Sequence, residues 1–212
     1  MIEENGTIWL KLASYYIDST LKGGLQLTES EEAALIRRCQ ARDKDAFRTL
    51  VEKYKQVMFG TAYLMTKDRG LAEDAMQEAL IQTWKHLPSL RQDVSLKAWL
   101  VRIVVNEVNR QRRKKRLPTV PLDDAPDIAD DCDDAATTMI RNEDRQNLRR
   151  ALEQLPSEVR ETVVLRYFSD LTVPEIAAVT GKPEGTIKSR LSRALVRLNE
   201  ILSKNETVEE RR

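Results

Sequence analysis

The chain is poor in the residues that most catalytic and metal chemistry requires. It has one histidine, His86, and two cysteines, Cys39 and Cys132, in 212 residues. His86 has no partner at metal-ligand spacing and the cysteines stand in unrelated contexts, so neither a zinc site nor a disulfide framework is written here. Cys39 falls on the apolar side of a helical pattern and reads as a small core residue. Glycine is scarce, at seven residues, and aromatics make up 5% of the chain, which argues against a turn-rich sandwich or barrel and for helices. No run of about 18 apolar residues occurs, so nothing is expected to span a membrane. Met1-Ile2-Glu3-Glu4 lacks the basic and apolar regions of a secretory signal, and a cytoplasmic, reduced protein without cofactor or metal is expected. The length suits two small domains.

What the chain does have is charge, and the formal net value of +1 conceals its arrangement. Residues 97–116 carry Lys97, Arg102, Arg110, Arg112, Arg113, Lys114, Lys115 and Arg116 against one acid, Glu107. Residues 117–140 reverse the sign, with Asp123, Asp124, Asp127, Asp130, Asp131, Asp133 and Asp134, no Lys or Arg, and Pro118, Pro121 and Pro126. That is the composition of an extended polar linker, unable to bury a core. It separates an N-terminal helical domain, 28–116, from a C-terminal one, 141–204, with a tail at 205–212. No repeat relates the two halves.

The sharpest local pattern lies between Leu171 and Arg190. Thr172 and Glu175 form a capping-box pattern, and Pro174 is harmless in a first helical turn, where its missing N–H is not needed. Gly181 suits the left-handed residue that ends a short helix. Ala177 permits a close crossing, and Ile187, six residues beyond Gly181, returns to the shared core, which predicts a helix-turn-helix corner. Pro183 can start a second helix whose Ile187, Leu191, Leu195, Leu198 and Leu202 recur at three and four residues. Its other face offers Lys188, Ser189, Arg190, Arg193 and Arg197, the residue types that meet base edges and phosphates. An ordinary helical hairpin with a solvated face is the competing reading. Two more helices, Asn147 to Leu155 and Glu158 to Phe168, are expected ahead of it, broken at Pro156 and with Ser157 as N-cap.

Four helices are expected in the N-terminal domain. The first follows the capping-box pattern Thr28-Glu29-Ser30-Glu31, and the second follows Asp45 with Phe47, Leu50, Tyr54, Val57, Met58 and Ala62 on one face. A third, from about Asp68, presents Leu71, Ala75, Met76, Ala79, Leu80 and Trp84 inward, with Glu73, Asp74, Gln77 and Glu78 on its polar side. That polar side is either plain solvation or a docking surface for a basic partner. The fourth runs from about Ser95 through Trp99, Leu100, Ile103 and Val104, with Arg102, Asn106, Asn109 and Arg110 outward. Planar side chains for stacking beside cations suit a single or melted nucleic-acid strand.

Taken in order, these features resemble the extracytoplasmic-function group of sigma-70-type RNA polymerase factors, across roughly residues 29–202. Ala72-Glu73-Asp74-Ala75-Met76-Gln77-Glu78-Ala79 with Thr83-Trp84 is similar to the family's core-polymerase docking helix. Ala98-Trp99-Leu100-Val101-Arg102-Ile103-Val104-Val105-Asn106 is similar to its helix for melted promoter DNA. Leu155-Pro156-Ser157-Glu158-Val159-Arg160-Glu161-Thr162-Val163-Val164-Leu165-Arg166-Tyr167, the corner, and Gly185-Thr186-Ile187-Lys188-Ser189-Arg190-Leu191-Ser192-Arg193-Ala194 complete the match. The corner alone is shared with many regulators, but both blocks around an acidic linker are far more specific. Residues 1–27 depart from the family's short start and form an extension of unknown role.

The resemblance implies an all-α fold of two helical domains and a promoter-specificity factor without catalysis. Asp74, Gln77 and Glu78 would then bind the polymerase clamp. Trp99, Arg102, Asn106, Asn109 and Arg110, with the loop from Pro88 to Val94, would hold the opened −10 element. Gly185, Thr186, Lys188, Ser189, Arg190 and Arg193 would read the −35 element, with Arg190 the leading candidate for a base contact and Arg197 on phosphate. Implied partners are core RNA polymerase (the beta' clamp and beta subunits), promoter DNA and an anti-sigma factor. A linker of 24 residues at roughly 3.3 Å each reaches about 80 Å, enough to cover the roughly 70 Å of two helical turns of DNA. A stand-alone helix-turn-helix regulator and an RNA-binding protein are the alternatives. A nuclease would need a carboxylate cluster or histidine beside the nucleic-acid groove, and the acids here lie elsewhere.

Overall fold

Why the chain is helical is visible at several helix starts. In the computed structural model, which describes residues 27–90, 95–116 and 146–209, α1 spans Glu29–Gln40. The Thr28 hydroxyl accepts from the Glu31 N–H at 3.3 Å, and the Thr28 N–H donates to Glu31 Oε2 at 2.8 Å. This reciprocal cap satisfies two donors that a helix start otherwise leaves open. The second helix, α2 (Lys44–Thr66), is capped by Asp43, two residues before the residue expected to precede it, because the Asp43 carboxylate reaches the N–H groups of both Asp45 and Ala46. Asp68 caps α3 (Arg69–His86) through the Leu71 N–H. A short 3-10 turn, Leu87–Ser89, follows. The basic helix α4 runs over Leu96–Arg116.

In the second half, α5 covers residues 146–153 and α6 covers Ser157–Val163. Ser157 is already the first helical residue of α6; the cap position belongs to Pro156, whose side chain makes no capping bond. Its carbonyl instead accepts from the N–H groups of Val159 and Arg160 at 3.0 and 2.9 Å. The chain then widens into a π turn, Val164–Phe168. The corner itself forms as the pattern predicts. In α7 (Val173–Thr180), Thr172 and Glu175 close the capping box, and Gly181 sits at φ +67 with its N–H on the Ala177 carbonyl. The last helix, α8 (Glu184–Glu209), starts one residue after Pro183 and continues into the stretch read as a tail.

In the N-terminal half α2, α3 and α4 pack on one another with α1 against α2, while in the C-terminal half α8 packs on α6 and α7. Leu50, Met58, Leu100, Val101 and Val104 are fully buried in the first, and Leu165, Leu171, Ile176, Ile187 and Leu198 in the second. Cys39 is buried among the first set at 1% exposure, and burial pushes its thiol up to about 11; it is a core residue. The two halves also touch. The interface joins α2 to the π turn and α6, and α4 to α7, so the apolar cluster is continuous. The linker, the N-terminal extension as far as residue 26, the end of the 88–94 loop and the last three residues lie outside the described residues.

Candidate nucleic-acid interface

Helix α4 shows one outward stripe. Arg102 and Asn106 are exposed and Trp99, Asn109 and Arg110 half-buried, all at the three- and four-residue spacing that keeps side chains on one face. Arg113, outside the set expected on DNA, lies exposed on the same stripe, and its spacing from Arg102, Asn106 and Asn109 is the sequence signal that points to it. The opposite side is the buried row Leu100, Val101, Val104, Val105 and Val108. Trp99 packs partly on the core, which fixes its ring while leaving part of it open.

The basic end of this helix is braced from below. Arg110 donates from Nε to Glu107 at 2.6 Å and from Nη2 to Glu78 of α3 at 3.0 Å. Glu107 is 8% exposed, so the only acid of the basic segment is an internal strut. The Glu107 and Glu78 carboxylates hold the Arg110 guanidinium above its ordinary value, Glu107 contributing most. Thus Glu78, expected on the docking face, is tied to Arg110, expected on DNA. Asp74 and Gln77 remain exposed on α3, with apolar Ile81 beside them, 47% exposed.

On α8 the expected residues divide. Gly185, Lys188, Ser189 and Arg193 are exposed and Thr186 is half-buried. Arg193 lies along its own helix, donating from Nε to the Ser189 carbonyl at 3.2 Å. Lys188 is 3.7 Å from Glu184, and Arg197 is 2.9 Å from Glu200. Arg190 turns away from this face. Its side chain is 12% exposed and its guanidinium pairs with Glu158 of α6. The spacing explains why: Arg190 is three residues past buried Ile187 and four before buried Ala194, on the shoulder of the apolar row. The outermost row of α8 is Gly185, Ser189, Ser192 and Val196, with Arg193 beside it, and Val196 is 61% exposed. Among the described residues no cluster of His, Cys, Asp or Glu is arranged to hold a metal ion, and no helix is long and apolar enough to cross a membrane.

A bundle with a braced cationic stripe, packed with a helix-turn-helix that exposes Lys188 and Arg193, is an arrangement suited to nucleic acid. The family profile Sigma-70 region 2 matches residues 50–117, and Sigma-70, region 4 matches residues 145–198. The chain is 31% identical over 185 residues to the RNA polymerase sigma-H factor of Pseudomonas aeruginosa, covering 83% of this chain and 96% of that one. It is 34% identical over 175 residues to the ECF RNA polymerase sigma factor SigM of Mycobacterium tuberculosis, covering 82% and 86%. Among solved structures, the sigma factor RpoE of Bartonella quintana, in complex with the anti-sigma factor NepR, superposes with a TM-score of 0.59 at 28% identity, over 74% of this chain and 96% of that one. CnrH in complex with the cytosolic domain of CnrY shares the fold, with a TM-score of 0.60 at 22% identity over 81% and 96%. The chain therefore belongs to the sigma-70 family of RNA polymerase sigma factors, in its extracytoplasmic-function group. It directs promoter-specific transcription initiation, as a factor and not as an enzyme, and the stand-alone regulator is set aside.

Proposed function

We propose that three surfaces divide this work. Asp74 and Gln77 on α3 dock on core polymerase, with Glu78 setting Arg110 behind them. The stripe Trp99, Arg102, Asn106, Asn109, Arg110 and Arg113 on α4 takes the opened strand of the −10 element. On α8, Gly185, Thr186, Lys188, Ser189 and Arg193 meet the −35 element in the major groove, while Arg190 holds the helix against α6. Extrusion and unstacking of a base cost a few kcal/mol, which stacking and phosphate contacts offset without ATP or a metal. The domain bounds 28–116 and 141–204, a cytoplasmic site of action and regulation by an anti-sigma partner complete the reading; the partner is supported by the sigma–anti-sigma complexes among the similar structures.

The observation that carries this assignment is the braced stripe of α4, because Glu107 and Glu78 fix Arg110 before any DNA arrives and such pre-ordering lowers the entropy cost of binding. The test is Asp74→Arg with Gln77→Arg, both exposed and neither needed by the fold. Co-elution with core polymerase should be lost while the helical content and melting temperature stay as in the parent. Undiminished co-elution would place the docking face elsewhere.

A further inference from the structure

Leu64 follows Thr61 by about one turn of α2, and the Thr61 hydroxyl lies 2.9 Å from that of Ser169 in the other half. Leu64 helps line a solvent-open cleft of about 220 Å³ between the end of α2, α5 and α6. Lys67 after α2, Arg149 on α5 and Arg160 on α6 line it too, against a single carboxylate, that of Glu153. Leu64 and Leu152 are buried apolar walls, and such walls strengthen the interactions of any charge placed among them. Two of the cations are already in use. Lys67 Nζ donates to the Glu153 carbonyl at 2.6 Å, and the Arg149 guanidinium stands 4.3 Å over the Tyr63 ring. Arg160 differs from both. It is 7% exposed, and its Nε is the one buried side-chain nitrogen or oxygen among the described residues without a hydrogen-bond partner. An N–H of a charged group is costly to bury unbonded. Burial first, and then Arg112 of α4, hold the Arg160 guanidinium below its ordinary value, with Glu153 acting the other way. Lys67 is lowered as well, by burial and then by Arg160, again opposed by Glu153.

Cations that depress one another around an orphaned donor are relieved by an anion. A water molecule could accept from Nε but would leave the repulsion between the cations in place. The donors come from three separate segments, which decides the kind of anion. A carboxylate presents two oxygens in one plane, whereas a phosphoryl group presents three, tetrahedrally arranged and carrying more charge, and the guanidinium fork suits it. Glu153 is exposed, so its carboxylate can turn to water when such a group enters. None of these residues belongs to the stripe of α4 or to the outer row of α8, so the promoter surfaces give Arg160 no role. We propose that this cleft is a binding site for a phosphate group, inorganic or carried by a nucleotide, with Arg160 Nε as its buried donor and Lys67 and Arg149 as its flanking cations.

The experiment titrates the full chain with inorganic pyrophosphate by calorimetry, at low ionic strength and without divalent cations, and follows the thermal midpoint in parallel. One anion per chain should bind and raise the midpoint. Arg160→Gln should weaken binding at least about tenfold, the usual worth of a hydrogen bond to a charged group. Because Arg160 is buried, Arg149→Gln provides a second reading at a half-buried position and should weaken binding at least about threefold. Glu153→Gln removes the opposing carboxylate and should tighten binding about threefold or more. Arg48, 81% exposed and outside the cleft, is the control, and Arg48→Gln should leave the affinity unchanged. Inorganic triphosphate and a nucleoside triphosphate, titrated side by side, separate the two carriers. Tighter binding of the nucleotide assigns the site to nucleotides, equal or weaker binding assigns it to the free anion, and either supports the site. Absence of pyrophosphate binding overturns it. So does binding that Arg48→Gln weakens as much as Arg160→Gln does, or binding indifferent to both Arg149→Gln and Glu153→Gln.

Discussion

Helices α4 and α8 carry similar arrays of Arg, Lys and small polar residues, but their cations are held in different ways. In α4 two cations reach the bundle beneath: Arg110 bonds Glu78 of α3 as well as Glu107 of its own helix, and Arg112 donates to the Met65 carbonyl of α2. In α8, among the described side chains, Arg190 is held by another helix, while Lys188, Arg193 and Arg197 have partners on α8 itself. The difference fits the two targets. A melted strand has no shape of its own, so the protein must supply one, whereas duplex DNA presents a regular groove into which a projecting helix can settle.

The largest effects should come from cutting the core beneath each helix. Leu100 within α4 and Ile187 within α8 are both 0% exposed, and truncation of either to alanine is expected to cost about 2–5 kcal/mol. Because the apolar cluster runs through both halves, each single variant should move one shared unfolding transition in calorimetry. Two separable transitions, each sensitive to one substitution, would mean that the halves fold independently and that the contrast is between two autonomous domains.

Next come the struts. Glu107→Ala removes a nearly buried acceptor and leaves Arg110 with Glu78 alone; a loss of about 1–3 kcal/mol in stability is expected, together with slower promoter opening at unchanged core affinity. The corresponding change on the other side, Glu158→Ala, removes a partner that is 66% exposed from an Arg190 side chain that is 12% exposed; because water reaches the carboxylate, the pair is expected to contribute only about 0–1 kcal/mol. Similar losses from the two substitutions, measured by denaturant unfolding, would erase the distinction between a braced helix and a projecting one.

A subtler effect separates Arg193 from Arg190. Arg193→Ala should weaken binding to −35 duplexes by about 1–3 kcal/mol if it meets a base edge, with selectivity relaxed at one or two positions. Arg190→Ala should weaken all −35 variants to a similar, smaller degree, since its guanidinium fixes the tilt of α8 through Glu158. A randomised −35 library, transcribed by each mutant holoenzyme, decides the matter; a base-specific loss confined to Arg190→Ala would return that residue to the reading face.

These contrasts also mark how far the sequence could be read. Periodicity located the helices and the corner, because Thr172, Glu175, Gly181 and Ile187 each have a local reason for their position, and the caps and the buried isoleucine formed as expected. Residues on the shoulder of an apolar row were not legible. Arg190 carries the same helical phase information whether it turns outward to DNA or inward to Glu158, and only the placement of α6 decides. Pairs between distant segments, such as Glu78 with Arg110 or Thr61 with Ser169, leave no local pattern at all. The contact between the halves was hidden for the same reason, since an acidic, proline-bearing linker specifies length and solvation but not what it brings together.

The smallest expected effect lies where the two helices come nearest in charge. Glu161 of α6 is raised above the ordinary carboxylate range, chiefly because it is buried, and further by Glu158; Arg112 of α4, Arg190 of α8 and Lys182 act the other way without overcoming burial. A carboxyl whose folded pKa exceeds its unfolded value of about 4.3 favours the folded state when protonated. Its contribution is fully present below the unfolded value and is lost as the pH rises through the folded one. Glu161→Gln keeps the shape and stays neutral at every pH, so its thermal midpoint should exceed that of the parent at pH 7.5 and match it near pH 4. The comparison of the two helices is sharpened by adding Arg112→Gln or Arg190→Gln to the parent. Each removes one opposing cation and should raise the Glu161 pKa further, widening the gain from Glu161→Gln at pH 7.5. A Glu161→Gln protein less stable than the parent at pH 7.5 would show that the arginines of α4 and α8 together outweigh burial, and that the carboxylate is a working ionic link between the two halves.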